Sequence, residues 1–130
     1  MKRLVVVGLI LLIAINAYAG EEKWKITAYC SCQKCCGKLP DHPAYGITAS
    51  GRKAKYGYVA CNWLPFGTQV EIEGLGVFTV MDRGAKSLFG SKTNHIKHLD
   101  IWMPTHTQAW KFGVQYKAVK ILKKGGEENG

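Results

Sequence analysis

Two aspartates sit where an ionised side chain is hard to accommodate: Asp82 in Val80-Met81-Asp82-Arg83-Gly84 and Asp100 in His98-Leu99-Asp100-Ile101-Trp102-Met103. A carboxylate inside an apolar, strand-like run must be paired, solvated in a cleft, or kept neutral at an energetic cost. The third aspartate, Asp41, lies in a turn-like stretch between Pro40 and His42 and needs no such explanation. Two carboxyl groups facing one cleft are common equipment for breaking a glycosidic bond. The plain alternative is that each caps a turn or meets a lysine. To act as an acid near neutral pH, Asp100 needs its pKa raised from about 4 to about 6, a shift worth roughly 3 kcal/mol. Partial burial and a second carboxylate would supply it, Asp82 being the candidate neighbour, and Arg83 should then point away from Asp100. Strand alternation puts His98, Asp100 and Trp102 on one face and Leu99, Ile101 and Met103 on the other. The second triplet reads as core; the first is a polar and aromatic surface suited to a sugar ring, although Trp102 could equally be packing.

Other polar residues gather near these segments. Thr48, Ser50 and Gly51 read as a turn at a cleft rim, whose hydroxyls either bind substrate oxygens or only hold the turn; no Ser-His-Asp pattern makes Ser50 a nucleophile. Five cysteines, Cys30, Cys32, Cys35, Cys36 and Cys61, leave an odd count. Disulfides within the cluster, or from it to Cys61, are the default expectation in an exported chain. The alternative is zinc on Cys32 and Cys35, completed by Cys30, Cys36, His42 or Cys61. Thiol catalysis is not indicated, because no histidine partner stands at local spacing. His95, His98 and His106 are too loosely spaced in sequence to mark a metal site.

The N-terminus argues for export. Lys2 and Arg3 precede an apolar run from Leu4 to Ile15, and Ala17-Tyr18-Ala19 supplies a small-x-small cleavage pattern. The run is shorter than the roughly 20 residues of a membrane span. Residues 1–19 are therefore read as a signal peptide, leaving no transmembrane anchor after cleavage, and the product as exported to the periplasm, cell envelope or medium. Without Lys2 and Arg3, 16 basic residues face nine acidic ones, a net charge of about +7. That charge favours an anionic partner. Export makes cell-wall polymer a better candidate than nucleic acid.

The rest, 20–122, reads as one small β-rich domain, with a flexible tail over 123–130. Strands are expected at Lys23–Tyr29, Gly57–Cys61, Thr68–Glu73, Val77–Asp82, His95–Met103 and Val114–Leu122, with a turn at Gly74-Leu75-Gly76. One helix is expected, with Thr105 as N-cap, Gln108 completing a capping box and Gly113 as its stop. The expected fold class is all-β, a small closed barrel of six strands and one short helix.

Thr27-Ala28-Tyr29, Ile47-Thr48-Ala49-Ser50-Gly51, Gly57-Tyr58-Val59-Ala60 and Leu64-Pro65-Phe66-Gly67-Thr68 occur in order before the two aspartate segments. Together they resemble the 3D (three-aspartate) domain, a double-psi β-barrel found in the lytic transglycosylase A family and in spore-associated wall enzymes. The Leu-Pro-Phe-Gly-Thr and Asp-Arg-Gly pieces are also similar to rare lipoprotein A. The resemblance runs from about Ile26 to Leu122. It implies non-hydrolytic cleavage of peptidoglycan between N-acetylmuramic acid and N-acetylglucosamine, giving a 1,6-anhydro product without a cofactor. Asp100 matches the family's last aspartate, the acid/base, and Asp82 the middle one, which supports it. Thr48, Ser50, Asn62, His98 and Trp102 are the expected substrate contacts, and a monomer acting on glycan strands is the expected form.

The chain departs from the family at the first aspartate. Val59-Ala60-Cys61 is followed by Asn62, which can hold a substrate hydroxyl but cannot carry charge or act as a base. A mechanism needing three acidic groups is thereby put in doubt, while one resting on Asp100 is not. Substitution of Asn62 by aspartate is expected to be tolerated. Loss of the third carboxylate keeps open a second function class, a non-catalytic, expansin-like barrel that binds or loosens the wall. The segment between Asp82 and Asp100 is longer than usual and carries Lys86, Lys92, His95 and Lys97; it either shapes glycan binding or is a solvated loop.

Overall fold

The computed structural model describes residues 18–126, so the expected signal peptide lies almost wholly outside the described residues. Six strands, β1 (Lys23–Tyr29), β2 (Tyr58–Ala60), β3 (Gln69–Ile72), β4 (Gly76–Asp82), β5 (His98–Trp102) and β6 (Gln115–Lys123), close into a barrel in the order β1-β5-β2-β4-β3-β6. The sheet is mixed. β1 runs parallel to β5 and β2 to β4, while β6 pairs antiparallel with both β1 and β3 and so closes the wall. Closure leaves no unpaired edge strand.

Alternation explains the interior. Ile26, Val59, Val70, Ile72, Val80, Leu99 and Ile101 are wholly buried, with Phe78 and Trp24 beside them. Branched aliphatics at every second position fill the space that a barrel this small can enclose. The β3–β4 hairpin turns where expected: Leu75 N–H donates to Ile72 O at 2.9 Å, with Gly74 and Gly76 at φ 77° and 104°.

Four differences separate this fold from the sequence reading. Among the described residues there are three short helices rather than one: α1 (Gln33–Cys36), α2 (Lys86–Phe89) and α3 (His106–Phe112). In α3 Thr105 accepts from Gln108 N–H as expected, but Gln108 Oε1 takes the Thr105 hydroxyl rather than a backbone N–H. β5 begins at His98, and His95 instead stacks on the Trp63 ring at 4.4 Å. β6 runs through Lys123, and Gly125 N–H donates to Thr68 Oγ1 at 2.9 Å. The chain is thus docked past the point where a tail was expected, and residues 127–130 lie outside the described ones.

Candidate active site

The barrel closure brings β1, β5, β2 and β4 side by side. Thr27 pairs with Asp100, Asp100 with Ala60, and Ala60 with Asp82, so four residues form one row across four strands. Asp82 has the parity of the core residues Phe78 and Val80, and regular pairing would turn it inward. The register shifts between Val59 and Ala60, so that Asp82 rather than Met81 lies opposite Ala60. This bulge re-aims the carboxylate onto the outer face of the wall. There Asp82, Ala60 and Asp100 line one cleft of about 600 Å³. The methyl of Ala60 leaves the floor between the carboxyl groups open. Lys38 and Arg83 also line the cleft, a cationic rim for an acidic ligand.

The two carboxyl groups are held differently. Asp82 accepts three hydrogen bonds: from Ala49 N–H at 2.7 Å, from Arg83 N–H at 2.9 Å and from the Tyr29 hydroxyl at 2.5 Å. Donors on every side are what an acceptor-only, ionised carboxylate requires. The turn supplying Ala49 is itself tied. Thr48 Oγ1 lies 2.8 Å from Ser50 Oγ and donates to Arg52 O at 3.1 Å. Burial and the Asp82 charge push the Tyr29 phenol well above its ordinary value. Arg83 donates to Cys61 O at 2.7 Å and lies over the Phe66 ring at 3.8 Å.

Among the described residues Asp100 has one hydrogen-bond partner, Thr27 Oγ1 at 2.8 Å from Oδ1. No buried polar side-chain atom among the described residues lacks a partner, so its second oxygen is reached from the cleft. Burial foremost, opposed by Thr27 and reinforced by the Asp82 charge, raises its carboxyl from 3.8 to about 6.

Behind Thr27 stands His98, with Nε2 2.7 Å from the same hydroxyl oxygen. Its Nδ1 lies 3.1 Å from Leu88 O, which can only accept, so Nδ1 carries a proton. Burial lowers the pKa of His98 and favours neutral imidazole, leaving Nε2 as an acceptor. Thr27 has one hydroxyl proton. When Asp100 is protonated it can donate to Thr27 and leave the Thr27 proton to His98. When Asp100 is ionised, it and Nε2 compete for that proton. His98 thereby weakens the hold of Thr27 on the ionised carboxylate and favours the protonated acid.

Sequence reasoning put His98 on a sugar-binding face, and its strand parity is indeed that of Asp100. The side chain is nevertheless buried, its ring stacked on Phe89 of α2 at 4.0 Å. The close approach depends on Gly84, where an added Cβ would lie 2.2 Å from the Phe89 ring. Trp102 also turns from the cleft, its indole N–H donating to Ser31 Oγ at 2.9 Å. Asn62 is a loop staple: its amide donates to Gly84 O at 2.9 Å and Gly90 O at 2.8 Å, and its carbonyl accepts from Gly84 N–H at 2.8 Å. Little of its capacity remains for a substrate. Of the expected site residues, the cleft wall joins Asp82, Asp100 and Thr48, but not Ser50, Asn62, His98 or Trp102. Thr27 and Tyr29 gained no role from their residue types; their strand positions beside Asp100 were the available signal.

None of the five cysteines is joined to another in this structure. Cys30, Cys32 and Cys35 converge with His106, which sequence spacing had set aside. Burial pushes the Cys30 thiol up to about 12, whereas its hydrogen bond to Cys32 chiefly draws the latter down to about 6. Cys35 and Cys36 also line the cleft, whereas Cys61 is buried beside the Asp82 backbone.

No family model matches the chain. Among curated proteins it is similar to the "Putative cell wall shaping protein YabE" of Bacillus subtilis (strain 168). The two are 32% identical over 98 residues, covering 74% of this chain and 21% of that protein. The chain thus spans about a fifth of the length of that relative.

Proposed function

We propose that this chain is an exported wall-cleaving enzyme, a lytic transglycosylase acting on the bond between N-acetylmuramic acid and N-acetylglucosamine. The observation that carries this reading is Asp100: a partly buried carboxyl raised to about 6, with one oxygen reaching a cleft that a second, fully hydrogen-bonded carboxylate lines. The likeness to a protein described as shaping the cell wall supports a wall-related, extracytoplasmic role. Among the described residues no helix is long and apolar enough to cross a membrane. The parallel pairings of β1 with β5 and of β2 with β4 are compatible with a 3D-type double-psi barrel over 20–122 behind a signal peptide over 1–19.

In this mechanism protonated Asp100 gives its proton to the glycosidic oxygen as that bond breaks, and positive charge develops at the muramic C1. Asp82, its oxygens fixed by three donors, stabilises that charge across the cleft. It is too fully engaged to serve as a nucleophile. Ionised Asp100 then takes the proton of the C6 hydroxyl, O6 bonds to C1, and the 1,6-anhydro ring closes. The acid is regenerated and no water is consumed. His98, by competing for the Thr27 hydroxyl proton, favours the protonated form of Asp100 before the first step and after the second.

One observation favours a second reading. The position of the family's first aspartate is Asn62, whose amide is spent on Gly84 and Gly90, so no third carboxylate serves the cleft. A non-catalytic barrel that binds and loosens glycan would need none. Incubation with purified sacculi, followed by mass spectrometry of soluble products, separates the readings. Anhydro-muropeptides are expected; reducing-end products would mean a hydrolase, and binding without products the second reading.

A further inference from the structure

Beside the cleft, the end of β1 meets α1 and the first residue of α3. Cys30 Sγ lies 3.6 Å from Cys35 Sγ, and His106 Nδ1 lies 3.9 Å from Cys30 Sγ, 3.4 Å from Cys32 Sγ and 3.5 Å from Cys35 Sγ. All four donor atoms fall within 4.8 Å of one another. Zinc–sulfur bonds of about 2.3 Å and zinc–nitrogen bonds of about 2.0 Å set tetrahedron edges of about 3.8 Å between sulfurs and about 3.5 Å from sulfur to nitrogen. The four separations given, 3.4 to 3.9 Å, are close to those edges, and the remaining two lie within 4.8 Å.

We propose that Cys30, Cys32, Cys35 and His106 bind one zinc ion as a closed, structural Cys3His site that pins the wall of the cleft. The ligand set selects the metal: three soft thiolates and an imidazole in tetrahedral array suit zinc and do not suit calcium or magnesium. Four protein donors fill the coordination sphere, so the ion holds structure rather than substrate. The local backbone is already arranged around the sulfurs. Cys32 N–H points at Cys30 Sγ at 3.4 Å, and the α1 turn between Cys32 and Cys35 ends on Gly37 in the left-handed region, with φ 70°. Nδ1 of His106 faces the thiols, so Nε2 keeps the ring proton.

A disulfide explains less. It would join two of the three sulfurs, leave the third thiol free, and give the convergence of His106, 71 residues from Cys35 in sequence, no role. What the ion would fasten is also visible. Tyr29, which holds Asp82, directly precedes Cys30; Ser31, which accepts from Trp102, lies between two ligands; and Cys35 itself lines the cleft. The inference stands apart from the cleavage chemistry, and its test reads metal rather than activity.

The test uses protein purified without chelator. One zinc per chain is expected by elemental analysis. After its removal under reducing conditions, cobalt(II) should give the visible bands of a tetrahedral thiolate site. Cys32→Ser and His106→Asn should weaken cobalt binding by more than the roughly 10- to 100-fold that outer-shell changes cause. Cys36→Ser and Cys61→Ser, outside the tetrad, should bind as the parent does, which separates loss of a ligand from loss of fold. Absence of zinc with no cobalt uptake by the reduced chain would overturn the proposal. So would a peptide map of the exported protein joining Cys30, Cys32 or Cys35 in a disulfide, or a Cys36→Ser variant as impaired as Cys32→Ser.

Discussion

Replacing Asp100 by asparagine should stabilise this protein at neutral pH while silencing it. Asp100 is held near 6 in the fold against an ordinary 3.8, and at 1.36 kcal/mol per unit the difference is about 3 kcal/mol. The sign follows from linkage. A carboxyl whose folded pKa lies above its unfolded one favours the fold fully below the unfolded value, and that favour is lost as pH rises through the folded value. Above about pH 7 wild type therefore carries the whole cost of ionising Asp100 in a partly buried place. Asparagine stays neutral, has nearly the same size, and its carbonyl can still accept from Thr27. The variant should be more stable by up to about 3 kcal/mol at pH 7.5, and the gap should close between pH 6 and pH 4. For a domain of this size that corresponds to a rise of about 10 °C or more in midpoint. Urea unfolding of both proteins at intervals from pH 4 to 8 reads it directly. Over the same range sacculus cleavage by the variant should fall about 10²- to 10⁴-fold, the contribution of a general acid. A variant less stable than wild type at pH 7.5, or a gap independent of pH, would refute the reasoning: Asp100 would then be a stabilising carboxylate and no candidate acid.

Two further substitutions probe the surrounding groups. His98→Phe keeps the stacking on Phe89 but removes Nε2, freeing the Thr27 proton for ionised Asp100; the acid's pKa should fall, and the alkaline limb of the pH–rate profile should move to lower pH. A limb unmoved, or moved upward, would mean that His98 only packs. Asn62→Asp, which the sequence alone made appear harmless, should be destabilising by more than about 2 kcal/mol, because a carboxylate would replace two donated hydrogen bonds and face Gly84 O and Gly90 O. Thermal unfolding of that variant at neutral pH tests it, and a midpoint equal to wild type would show that the loop finds another staple.

The strands were legible because each buries one face of a short alternating run. Lys23–Tyr29 matches its expected bounds, and Gly76–Asp82 differs by one residue. The single-turn helices were not legible. Gln33–Cys36 and Lys86–Phe89 have four residues each and no side-chain N-cap, so neither period nor cap announces them. Their absence from the sequence reading caused its main error about the site. Parity correctly put His98 with Asp100, but only α2, with Phe89 seated against Gly84, decides that this histidine is covered rather than open to sugar. Asn62 failed for a related reason: a side chain's polarity says that it will be hydrogen-bonded, not whether by ligand or by loop. His106 was invisible because its partners lie more than 70 residues away and meet it only after the barrel closes.

A row of residues across a barrel wall gives neighbouring carboxyl groups unequal surroundings without any special sequence signal. Asp82 ends β4 beside the 47–53 turn, where backbone N–H groups not used by the ladder are available to it, and a bulge turns it to meet them. Asp100 sits mid-strand, where the ladder consumes the backbone donors on both sides and a single threonine hydroxyl is left. Position along the strand thus gives one group a full set of donors and leaves the other with a single one. The same argument explains why Ala60 lies between them. A larger side chain there would fill the floor of the cleft, separate the charge of Asp82 from the acid it perturbs, and bury Asp100 from any ligand it could serve.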